Sequence, residues 1–377
     1  MTRKQEQEPA REEVTEVAPG VIRMELPIRM PGLGHVNCYA LLDDEGAAVV
    51  DPGLPGLATW RAIGDRLARA DLRAEHVHTV IVTHSHPDHF GGASRFAREV
   101  GARVVAHRAF RFGLAAEDHP EVSVEDLAAH AEHEGEGPVA GRDVDGVHIR
   151  PSAHPEPAAR PREPWRRERR TPWGGEPPRP SFKMRVRWSL MRLLRRAPFV
   201  PDVTHPVKEG DALRLAGRDW FVVHTPGHTE DHICLHDPEH GLFLAGDHVL
   251  PTITPHISGL STYHDPLAAF FESLDRVSEL APVRLALPAH GHPFDDLAAR
   301  CRAIQQHHVE RLEKVKAIGR DLGAPSTVEA FSQRLFKPRS WGSMAESETY
   351  AHLEHLRLLG AADRRHDAES RYLYTTG

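Results

Sequence analysis

The constraint that most limits how this chain can fold is a repeated one: short apolar runs that each end in histidine or aspartate. The run TVIV at residues 79–82 leads directly into THSHPDHFGG, which sets three histidines and an aspartate within six positions. In an extended or turning segment His84 and His86 share a side, because residues two apart share a face. Asp88 and His89 follow at a turn favoured by Pro87 and the pair Gly91–Gly92. The pattern returns at His228 in TPGH, Asp247 in AGDH and His290 in PAHG, each after a strand-like run. A histidine pair alone on a loop is usually solvated or packed. Neutral imidazoles and carboxylates crowded at several strand ends cost desolvation unless a cation compensates them. Imidazole with carboxylate suits zinc and other borderline divalent ions.

The rest of the chain is organised around these runs. Residues 1–16 are polar and read as a disordered arm. From Val17 to about Arg108, strands such as CYALL, AAVVDPG, TVIVTH and ARVVAH alternate with the helical patterns TWRAIGDRLARADL and GASRFAREVG, which predicts layered α/β packing. Residues 110–205 interrupt that rhythm as an insertion, acidic over 117–145 and rich in proline and arginine over 150–181. The insertion ends in FKMRVRWSLMRLLRRAPF, an amphipathic helix stopped by Pro198. That helix packs on the domain, covers an apolar pocket as a mobile lid, which makes Trp188 a pocket candidate, or, as a weaker third reading, adheres to a membrane surface. Strands resume at DWFVVHTPGH, HICLHD, GLFLAGDHV and VRLALPAHGHP, with the helix PLAAFFESLDRVSEL between the last two. From residue 305 three helical patterns and two terminal strands predict a winged-helix-like domain over 305–377, after a catalytic domain over 17–304.

The set His84-x-His86-x-Asp88-His89 with distant His228, Asp247 and His290 resembles the hallmark of the metallo-β-lactamase superfamily. The likeness runs in order over residues 17–300, apart from the insertion. It implies a four-layer αβ/βα sandwich with a dinuclear site along the upper edge of two sheets. By that resemblance His84, His86 and His228 hold a first metal, Asp88, His89 and His290 hold a second, and Asp247 bridges them. Asp51 in VVDPG matches the family's early aspartate and would orient the ligands by hydrogen bonds. Two Zn2+ ions are implied, with Mn2+ or Fe as alternatives. Histidine at position 86, where the di-iron flavoprotein branch has glutamate, points to zinc and hydrolysis. The chemistry implied is attack by a hydroxide shared between the ions, with Asp88 orienting it or passing a proton.

Substrate is weighed by what is missing. About forty residues separate Asp247 from His290, too few for the extra domain of the β-CASP nucleases, and the H-E-Y-T stretch of the glyoxalase-II group is absent. The expected function is therefore metal-dependent hydrolysis of a small ester, thioester or lactone. The alternative is a metal-dependent endoribonuclease or phosphodiesterase. His256 and Tyr263 are further pocket candidates, Tyr263 as a donor to a carbonyl oxygen. His232, His248, His264 and His292 also lie near the motif strands and read as surface or supporting residues. The pair His307–His308 reads as solvent-facing. A net charge of −7 argues against general attraction to nucleic acid or anionic lipid. A small-molecule substrate is expected, with the tail serving packing or a homodimer. Three cysteines form no metal pair, and neither an export signal nor a membrane span is legible, so a cytoplasmic location is expected.

Overall fold

Strands buried on both faces build two sheets that face each other. The computed structural model describes residues 4–30, 32–112, 142–144, 147–149, 171, 173–174 and 199–377. Its first sheet orders β1 (Val14–Ala18), β2 (Val21–Met30), β3 (Leu33–Asp43), β4 (Gly46–Val50), β5 (Val77–Ile81), β6 (Arg103–His107) and, at the far edge, β9 (His205–Val207). Two short strands, β7 (Arg142–Val144) and β8 (Val147–Ile149), pair with each other. The second sheet orders β10 (Ala212–Leu215), β11 (Arg218–His224), β12 (Ile233–Asp237), β13 (Leu242–Gly246) and β14 (Leu285–Pro288). The period of two sorts side chains between faces. On β3, Tyr39 and Leu41 enter the core between the sheets, while Cys38 and Ala40 face helices α1 (Leu57–Arg69), α2 (Pro87–Phe90) and α3 (Ala93–Val100). On β13, Leu242 and Leu244 meet the first sheet, while Phe243 and Ala245 face α4 (Pro266–Ser278) and α5 (Leu297–Leu322). The layers are thus helices, sheet, sheet, helices, the sandwich that the sequence implied. Trp220, fully buried between the sheets, alone contributes roughly 3 kcal/mol by apolar burial.

The tail adds β15 (Ser326–Thr327), α6 (Val328–Leu335), α7 (Ser343–Leu358), β16 (Ala362–His366) and β17 (Tyr372–Thr376), with strands ordered β15-β17-β16. Helix α5 begins at Leu297, capped by Asp296, whose carboxylate accepts from the backbone of Ala299 at 2.9 Å. It therefore runs across position 305. Its buried stripe, Cys301, Ile304, His308, Leu312 and Val315, follows helical spacing and belongs to one core with α4 and the tail.

Two expectations need correction. Residues 4–16 are not a loose arm. Glu6 is fully buried and accepts from the backbone N–H groups of Thr252 at 2.7 Å and Ile253 at 3.0 Å, and β1 pairs with β2. A carboxylate that satisfies two backbone donors is held in place despite a polar context. His308 is not solvent-facing but fully buried, with its Nδ1 3.1 Å from His352 Nε2, because the helix starts at Leu297 and its spacing turns His308 onto the stripe of Cys301 and Ile304. The acidic and Pro/Arg-rich stretches and the helix with Trp188 lie outside the described residues. The three cysteines are buried and free.

Candidate metal centre

Strand ends bring the histidine and aspartate motifs to one edge. Strands β4 and β5 run parallel, as do β13 and β14, so the segments after them emerge on the same side. Asp51 follows β4 at φ +54°, in the left-handed region that aspartate tolerates, and its N–H donates to Ile81 at 2.9 Å. After β5 the chain turns into α2, where Pro87 at the first helical position fits a missing N–H. That single turn presents Asp88 and His89 beside His84 and His86. Across the edge, Gly246 ends β13 at φ +51°, and a Cβ there would meet His232 Nε2 at 2.6 Å. Glycine at that position lets Asp247 sit directly over the histidines.

The side chains converge in two groups. His86 Nδ1 lies 2.9 Å from His84 Nε2 and 3.1 Å from His228 Nε2. Asp88 Oδ2 lies 3.6 Å from both His89 Nε2 and His290 Nε2. The Asp247 carboxylate reaches both groups: Oδ2 is 3.6 Å from His228 Nε2 and 3.5 Å from His89 Nε2, while Oδ1 is 3.3 Å from His290 Nε2. Donor atoms around one tetrahedral zinc ion stand about 3.3–3.6 Å apart, given bonds of about 2.0–2.2 Å. The observed separations fall around that edge length. His89 Nε2, His290 Nε2 and Asp247 Oδ1 are buried without a hydrogen-bond partner, a costly arrangement unless a cation meets them. The residues present therefore fit a pair of divalent ions. Of the seven, His86 alone is half-buried; the others are buried.

Hydrogen bonds behind the centre aim the lone pairs. His228 Nδ1 donates to the carbonyl of His256 at 2.7 Å, and His290 Nδ1 to that of His35 at 2.6 Å. His89 Nδ1 donates to Asp51 Oδ2 at 2.9 Å. The Thr83 hydroxyl donates to the same carboxylate at 2.8 Å and lies 3.0 Å from His84 Nδ1, which can donate to it. Each of these four rings thereby keeps Nε2 free to coordinate, while His86 faces inward through Nδ1. Burial, then neighbouring histidines, hold the His84 and His86 pKa values well below the usual range, so both are neutral. Burial opposes charge on His89, but Asp88, Asp247 and Asp51 outweigh it and push its pKa up. Burial likewise opposes ionised Asp247, but His290 and His89 outweigh it and hold its pKa well down. A field that draws protons onto His89 also draws a cation, which would displace them.

His256 belongs to this surround through its carbonyl, and its ring turns to Glu348 at 3.3 Å. Tyr263 is half-buried on the same loop, with its backbone N–H on Ser261 Oγ at 3.0 Å. Thr83 was missed as a support, while His232, read from the sequence as a surface or supporting residue, is a buried support. His232 Nε2 accepts the backbone N–H of Asp247 at 3.0 Å, and its Nδ1 lies 2.7 Å from Thr225 Oγ1. The hydroxyl directly before the first motif histidine was the available signal for Thr83.

Comparison with known proteins bears on the same edge. The crystal structure of a metallo-beta-lactamase family protein from Thermus thermophilus is 28% identical, with TM-score 0.66, over 96% of this chain and 100% of that one. The lactamase-like protein aptB of Emericella nidulans is 33% identical over 112 residues, 30% of this chain and 34% of that protein. Atrochrysone carboxyl ACP thioesterase AacuM of Aspergillus aculeatus is 33% identical over 93 residues, 25% of this chain and 27% of that protein. The chain thus spans about a third or less of the length of these two curated relatives. The Metallo-beta-lactamase superfamily model matches residues 31–290, which take in all seven converging side chains and well over half of the sequence, so the chain belongs to that superfamily of predominantly hydrolytic enzymes.

Proposed function

We propose that the chain is a dinuclear metal-dependent hydrolase of a small ester, with a thioester as the first substrate class to test and a lactone as the next. The observation that carries this reading is the Asp247 carboxylate, within 3.6 Å of His228, 3.5 Å of His89 and 3.3 Å of His290. His84, His86 and His228 form one candidate ligand set, Asp88, His89 and His290 the other, with Asp247 shared. Zinc is the expected ion from the imidazole and carboxylate donors. Bound there, two such ions would polarise a substrate carbonyl and acidify the attacking water. The chain's own groups do the rest. Asp88 orients the attacking water and accepts its proton. Asp51 and Thr83 fix the tautomers of His89 and His84. The buried edge limits bulk water around the carbonyl. The name of the Aspergillus aculeatus relative supports a thioester substrate. Three buried, unpaired cysteines support a reducing, cytoplasmic setting. No helix among the described residues is long and apolar enough to cross a membrane.

The tail over residues 305–377 is proposed to serve the catalytic region rather than to stand apart from it. Helix α5 crosses position 305, and its stripe shares the core of α4. The deciding experiment is a screen of zinc-loaded protein against acyl thioesters, lactones, β-lactams and short RNA. Turnover of thioester or lactone, lost on chelation and restored by zinc, is the expected result. Turnover of RNA alone would transfer the assignment to the phosphodiesterase alternative.

A further inference from the structure

The seven candidate ligands all lie on segments that follow strands of the two sheets, yet one of them is braced from the tail. His228 Nδ1 donates to the carbonyl of His256 at 2.7 Å. That carbonyl belongs to the loop between β13 and α4, which pairs with no strand among the described residues; Arg300 holds the loop near Ile253 and Glu230 holds it at Thr262, on either side of His256. Helix α7 supplies the hold between those points. Glu348 Oε2 lies 3.3 Å from His256 Nδ1, and Ser347 Oγ accepts the backbone N–H of Gly259 at 3.0 Å. A Cβ on Gly259 would meet the Ser347 carbonyl oxygen at 2.6 Å, so the loop backbone lies directly on the helix. Glu348 is itself fixed from the other side by Arg311 of α5.

We propose that Glu348 is a positioning residue for the metal centre: through His256 it sets the carbonyl that aims His228. The tail thereby completes the catalytic unit. This rests on the reading of His228 as a metal ligand. Glu348 also groups with His308 and His352 at ligand-like spacing, but that group is assigned no ion. Arg311 already neutralises its single carboxylate, and a buried dication would then go uncompensated. The network passes position, not charge.

The test titrates zinc into the full-length chain against a competing chelator, with cobalt(II) absorption as a second readout. Glu348→Ala should weaken one of the two ions by about 10–100-fold, the range for losing an outer support, and leave the other within about twofold. His256→Ala, on a half-buried loop, should weaken the same ion. The double variant should lose no more than the worse single, because both act through one carbonyl. Glu348→Gln, which keeps an acceptor for His256, should restore most of the affinity and the cobalt spectrum. Equal weakening of both ions, or melting-temperature loss with unchanged zinc affinity, would overturn the proposal and leave Glu348 a packing residue. Retention of both ions by His228→Ala would instead overturn the ligand assignment beneath it.

Discussion

Asp51 and His84 are joined through the Thr83 hydroxyl, by one hydrogen bond on each side of it. The Thr83 hydroxyl donates to Asp51 Oδ2 at 2.8 Å and stands 3.0 Å from His84 Nδ1, while His89 Nδ1 donates to that same oxygen at 2.9 Å. One buried carboxylate oxygen thus orients a histidine from each half of the centre. Asp51→Asn would turn a donor toward His89 Nδ1–H or forfeit the Thr83 backbone contact at 2.9 Å. Zinc affinity should fall by about 10–100-fold, with both ions affected. Competition with a chelating dye measures this; affinity unchanged at both sites would show that Asp51 is a turn residue only.

His86 separates metal binding from folding. It is the half-buried member of the first group, so its loss leaves no large cavity. His86→Ala should lower occupancy of one ion and reduce hydrolysis by more than about 100-fold, beyond what an outer support is worth. Circular dichroism should be unchanged. Full turnover in the metal-depleted variant would end the assignment of a metal-dependent hydrolase.

The fold was legible where its signals are local. Strands such as AAVV and LFLA alternate their faces within a few residues, and the metal-capable side chains sit at their ends, so neither depends on distant context. The N-terminal arm was not legible, because Glu6 is held by backbone donors 246 positions away and nothing in a polar stretch announces that contact. The same holds for Glu348 and His256, 92 positions apart and joined only once α7 packs on the loop. His308 is a different case. Asp296 three residues before Ala299 is a helix-start signal, and reading it there turns His308 onto the buried stripe.

Metal removal should be visible as lost stability. The orphaned atoms His89 Nε2, His290 Nε2 and Asp247 Oδ1 would gain partners from a bound cation. Zinc held at a hundredfold excess over its Kd stabilises the folded chain by about 2.7 kcal/mol per site. Thermal melts with and without a chelator should differ by several degrees, and the apo protein should recover on adding zinc. Superimposable melts would mean that the seven side chains bind no ion.

Acid should destabilise the apo protein through His308, independently of the metal centre. Burial, and then His352, Arg311 and His307 facing it, push its pKa down to about 2. In the unfolded chain a histidine titrates near its ordinary value of about 6.5. A folded value below the unfolded one favours the native state fully above pH 6.5, and that contribution is lost as pH falls from there toward 2. The slope is at most about 1.4 kcal/mol per pH unit for one such group. His248, held at about 3 chiefly by burial, acts in the same direction. His308→Gln keeps a donor for His352 Nε2, 3.1 Å away, but cannot titrate. With chelator present throughout, urea midpoints of wild type and variant between pH 6.5 and 4.5 should diverge, the wild type falling more steeply. Titrations common to both proteins, those of His84 and His86 included, cancel in that difference, so parallel slopes would mean that His308 is protonated in the fold and that its burial carries no acid penalty.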